Sequence, residues 1–221
     1  MINQALQSSN SEDRIKHIVA LFFFCFVPSA VLVATMLFAH YALELIGTTS
    51  LYLEVFFQQT MPMFLSFGII PALFYNKYLK GSNKKIFNLS IKKSLSTAIS
   101  FLLLSGFVIF LLINLESSML VAPFIFHFII VAITEEFVMR GLITKQLVHI
   151  FNDEWLALVL SALIFAFVFH SARDIASNLL FRFPLGFSLS LVYKKTKSLE
   201  LPIILHWLYN SVISVLEIVL S

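Results

Sequence analysis

The chain has 221 residues, of which 59% are hydrophobic and 12% charged, half the roughly 25% charged share of an average soluble domain. Its 25 phenylalanines outnumber Asp, Glu and His together, which excludes a water-soluble globule. A disordered chain is excluded by the same hydrophobicity, and a disulfide scaffold by Cys25 being the only cysteine.

Lipid is therefore the expected solvent, and the chain reads as an all-α polytopic membrane protein with no nucleic-acid partner. Residues 1–16 are polar and read as a cytoplasmic tail. An apolar stretch then runs over 18–46, too long for the h-region of a cleaved signal peptide, with a kink expected at Pro28. Further apolar segments lie over 52–75, 95–114, 119–151, 154–171, 183–193 and 199–220. That makes about seven helices, with residues 17–115 as N-terminal helices of unassigned role and 116–221 as the candidate catalytic core.

If each segment crosses once from a cytoplasmic N-terminus, the inner regions hold 13 of the 15 lysines and arginines and the outer ones only Arg173 and Arg182. Such an asymmetry supports a cytoplasmic N-terminus and an outside C-terminus. The segment 119–151 is longer than a bilayer core of about 30 Å requires and should project beyond it. The segment 183–193 is too short to cross, so residues 171–182 must supply further turns or re-enter beside a cavity.

A charge in mid-membrane costs about 2.5–3.5 kcal/mol and demands a reason. Glu135 and Glu136 follow a long apolar run. At 100° per residue Glu136 and Arg140 share a face, while Glu135 points elsewhere. A paired Glu136 braces the helix, and an unpaired Glu135 suits a general base. A juxtamembrane charge cluster marking the helix end weighs equally for this motif alone. His170 closes the next apolar segment, and His206 with Asn210 lie one turn apart on the last helix. Glu135 and His170 are each 17 residues from the Asn152-Asp153 turn, so a hairpin brings them to the same depth. His40 and His127 read as packing residues, Arg173-Asp174 as a loop ion pair, and Glu217 as an interface residue.

Taken together these residues resemble the CAAX protease and bacteriocin-processing (Abi) family of intramembrane proteases. The likeness rests on Glu135-Glu136-x-x-x-Arg140-Gly141, His170, Gly186, the turn beginning Tyr193-Lys194, Pro202, and His206-x-x-x-Asn210, over about 124–211. One departure stands out: the family's phenylalanine four residues before the histidine is Ala166 here, flanked by Phe165 and Phe167.

The resemblance implies hydrolysis of a peptide bond in a membrane-associated protein or peptide, near the cytoplasmic side, in CAAX-type processing, bacteriocin maturation or a similar task. Glu135 and His170 would activate a water, His206 and Asn210 would hold the oxyanion, and Glu136 with Arg140 would support them. The chain has no His-Glu-x-x-His, and the expectation is no cofactor; the alternative is zinc on Glu135, His170 and His206. Residence in a bacterial cell membrane is expected. Competing readings are a non-catalytic immunity or scaffolding relative, and a small proton-coupled transporter, for which no repeat symmetry is found.

Overall fold

The structure is a computed structural model that describes residues 2–47, 50–80, 102, 105–106 and 118–220. Among the described residues there are six helical rods: α1 (Ile2–Ile46), α2 (Leu51–Tyr78), α3 (118–151), α4 (Glu154–Phe169), α5 (Ile175–Thr196) and α6 (Glu200–Leu220). No strand occurs among the described residues, as an all-α chain requires. Among the described residues, four stretches are long and apolar enough to cross a membrane: Ser11–Ile46, Leu51–Tyr78, Val121–Phe151 and Ile175–Thr196. Large apolar side chains such as Phe22, Phe38 and Leu45 face outward, where only lipid can cover them. The protein is an integral membrane protein. The helix expected over 95–114 lies outside the described residues, apart from Leu102, Ser105 and Gly106.

The core shows why these segments pack as they do. Ala20 and Phe24 of α1, Met63 and Phe67 of α2, and Phe137 and Leu142 of α3 form one buried cluster. Phe23 stacks on Phe74 with ring centroids 3.7 Å apart, tying the early part of α1 to the late part of α2. Across α3, the Trp207 indole N–H of α6 donates to the Ile125 carbonyl at 3.1 Å, so a bulky ring is buried with its one donor satisfied.

The Asn152-Asp153 turn closes a hairpin between α3 and α4. Asn152 ends α3 in the left-handed region (φ 53°), and Asp153 caps α4 by accepting from the N–H groups of Trp155 and Leu156. Asp153→Ala removes both bonds and should cost about 1 kcal/mol, read as a lowered unfolding midpoint in detergent. The question left open over 171–182 is answered here: α5 begins at Ile175, so this stretch supplies the turns that 183–193 lacks. Asp174 does not pair with Arg173; its carboxylate instead accepts from the Ser177 N–H and starts α5.

Stretches of π-helix interrupt these rods at 137–143, 165–169 and 178–182, close to the charged residues of α3, to His170 and to Arg182. A π turn inserts one residue into the α ladder and re-aims the side chains after it, and such turns occur frequently at functional sites.

Candidate functional site

Glu136 and Arg140 are both fully buried, and the ion pair between them is 3.0 Å long. The same Glu136 Oε1 accepts from His206 Nδ1 at 2.8 Å, across from α6. Arg140 also donates from Nη2 to the Gly186 carbonyl of α5 at 2.6 Å, and its guanidinium sits 5.3 Å from the centre of the Phe165 ring of α4. One carboxylate and one guanidinium thus join four helices. Burial of both charges is tolerated because each has the other and further hydrogen-bond partners.

Beside this network lies a cavity of about 380 Å³, and Glu135, His170, His206 and Asn210 all line it. The hairpin and the last helix therefore bring together the four residues singled out from sequence. Glu135 forms no ion pair with Arg140, and its Oε2 lies 3.8 Å from His206 Nε2. That oxygen is buried with no hydrogen-bond partner among the described residues.

The hydrogen-bond donors fix the tautomers. His170 Nδ1 lies 2.8 Å from the Phe165 carbonyl, which can only accept, so Nδ1 carries the proton. Nε2 of a neutral His170 is then a bare acceptor. For His206, Nδ1–H points at the Glu136 carboxylate, and Nε2 is the atom directed toward Glu135.

The missing phenylalanine at position 166 is resolved by the π turn. Phe165 is 1% exposed, its ring lies 4.7 Å from the His170 ring and 5.8 Å from that of His206, and Phe167 is 36% exposed on the outside. Phe165 and His170 are five residues apart, the interval that one π turn places in register.

Residues 116–212 match the family model described as type II CAAX prenyl endopeptidase Rce1-like. Over this stretch the chain is similar to the Rce1-like family, and it is called the Rce1-like domain below. No curated protein and no solved structure matches the chain. The domain runs from α3 to the middle of α6 and contains every motif residue from Glu135 to Asn210, in agreement with the resemblance read from the sequence. The family it resembles is described as one of CAAX prenyl endopeptidases.

The Rce1-like domain does not wall the cavity alone. Leu32 and Met36 of α1 and Gln59 and Met63 of α2 complete the lining, a contribution that the sequence left unassigned. His127 also reaches the lining; its Nδ1 lies 3.1 Å from Thr60 Oγ1, whose own proton goes to the Val55 carbonyl, so the ring is the donor. Among the described residues no group of three His, Cys, Asp or Glu side chains is gathered to hold a metal ion; Glu135, His170 and His206 share the cavity without forming such a group.

Gly186 is a close-contact position in the Rce1-like domain. A Cβ there would meet Phe165 Cδ1 at 2.9 Å, and that ring is held between Arg140 and His170. Gly186→Ala should therefore cost about 1–3 kcal/mol of stability through overpacking. Because the displaced ring orients His170, the remaining folded protein should also cleave more slowly per molecule, which activity normalised to folded protein would reveal.

Proposed function

We propose that the Rce1-like domain hydrolyses a peptide bond of a membrane-associated protein or peptide within the bilayer, using a water activated by Glu135. The observation that carries this reading is the convergence of Glu135, His170, His206 and Asn210 on one cavity. Glu135 takes the proton of the attacking water, and the bare Nε2 of His170 accepts that water's other hydrogen bond and so aims it. The oxygen attacks the scissile carbonyl, and the negative charge moves to the carbonyl oxygen. Asn210 donates its amide N–H to that oxyanion. His206 donates from Nε2 as the imidazolium, with Glu136 as its counter-charge at 2.8 Å. Collapse of the intermediate expels the amine, which takes the proton held by Glu135. Each step balances on these groups, and the reading uses no metal.

Glu136, Arg140 and Phe165 act through the residues they hold. Arg140 fixes Glu136, Glu136 fixes His206, and Phe165 fixes His170. The direct test compares membrane peptides from cells carrying the wild type or Glu135→Gln at equal protein level. Fragments or matured peptides present only with the wild type support the reading, and their ends give the cleavage site. Identical peptide sets under conditions of expression would remove it.

A further inference from the structure

The two ends of the bundle differ in charge, and the cavity belongs to one of them. The ring of His17, early in α1, stacks on that of His149, late in α3, with centroids 4.3 Å apart. Lys194 and Lys197, at the close of α5, each pair with Glu154 at the start of α4 at 3.1 Å. The Phe23–Phe74 stack brings the end of α2 to the same place. One end of the bundle therefore gathers the start of α1, the end of α2, the α3–α4 hairpin and the α5–α6 turn. Its basic residues include Lys77, Lys80, Lys145, Lys194, Lys195 and Lys197.

The opposite end holds the turn between α4 and α5 and the last turns of α6. Arg173 and Arg182 are its basic side chains among the described residues. The cavity runs toward this second end. From the level of Glu135 and His206 its lining continues to Arg173, Arg182 and Glu217. Arg173 lies in the α4–α5 connection itself and is exposed, and Glu217 is exposed about 16 Å along α6 from His206, at 1.5 Å per residue. None of the lysines at the first end lines it.

Cytoplasmic ends of membrane helices collect lysine and arginine. We propose that the lysine-rich end is cytoplasmic and that the cavity receives its substrate from the extracytoplasmic face. The substrate class is then a membrane-associated peptide or protein segment already carried across the bilayer. This differs from the expectation, drawn from the sequence, of a cut near the cytoplasmic side. The substrate class rests on the peptidase reading, while the direction of the cavity does not.

Thiol labelling tests the direction without requiring cleavage. In the full chain with Cys25→Ser, single variants Arg173→Cys and Ser214→Cys mark the cavity, and Lys197→Cys marks the lysine-rich end. Spheroplasts are treated with a charged, membrane-impermeant maleimide before and after permeabilisation. Arg173→Cys and Ser214→Cys should label equally in both states, and Lys197→Cys only after permeabilisation. The reverse pattern overturns the proposal. Should Arg173→Cys fail to insert, Ser214→Cys still reports the cavity. Adding Glu135→Gln should leave the pattern unchanged, so loss of the peptidase reading and loss of the direction give separate results.

Discussion

Glu135→Gln should abolish cleavage while the protein inserts and folds as before. The substitution keeps the shape of the side chain and removes its ability to take a proton. A general base contributes about 10²–10⁴-fold, equal to roughly 3–5 kcal/mol of barrier. The fold should hardly notice, because Glu135 is not what anchors the helices. His206 keeps its 2.8 Å bond to Glu136, and Arg140 keeps both of its partners. The check is a pair of measurements on one preparation: peptide products by mass spectrometry and the unfolding midpoint in detergent. Loss of products at an unchanged midpoint is the expected result; products at the wild-type level would end the mechanism.

Arg140→Ala should have the opposite profile, with folded protein lost first. The change leaves Glu136 buried with only His206 as partner and takes away the guanidinium from the Gly186 carbonyl and the Phe165 ring. Breaking a buried pair from one side costs about 3–5 kcal/mol, a large part of the roughly 5–15 kcal/mol that holds a typical domain together. Arg140→Lys should rescue it only in part, because a single ammonium lacks the planar fork that reaches Glu136 and Gly186 from two nitrogens. Yield and monodispersity after detergent extraction, followed by a melting curve, measure both effects. A wild-type midpoint for Arg140→Ala would show that the network braces nothing.

What could be read from the chain follows the reach of helical periodicity. Glu136 and Arg140 are four residues apart on one helix, so their pairing was legible, and so was the exclusion of Glu135 from it. The hairpin depth of Glu135 and His170 was legible because a turn with an Asn-Asp signature lies midway between them. The bond from Glu136 to His206 was not, since 70 residues separate them and periodicity says nothing of how two helices rotate against each other. The choice between Phe165 and Phe167 stayed open for a related reason. An α-helical count favours Phe167, three residues from His170, over Phe165, and the π turn that reverses this leaves no mark in composition. The walls from α1 and α2 were hidden because Leu32, Met36 and Met63 look like any other apolar residue of a membrane helix and Gln59 belongs to no motif.

That π turn bears on how such enzymes are compared by sequence. A motif written as a phenylalanine and a histidine a fixed number of residues apart describes an angle around a helix, and the residue count is only its usual proxy. In this chain Phe165 meets His170 across five residues, because a widened turn lies between them. Alignments that slide the phenylalanine into the expected column would put Ala166 there and record a lost aromatic. Read as rotation, the aromatic contact to His170 is present, supplied by Phe165.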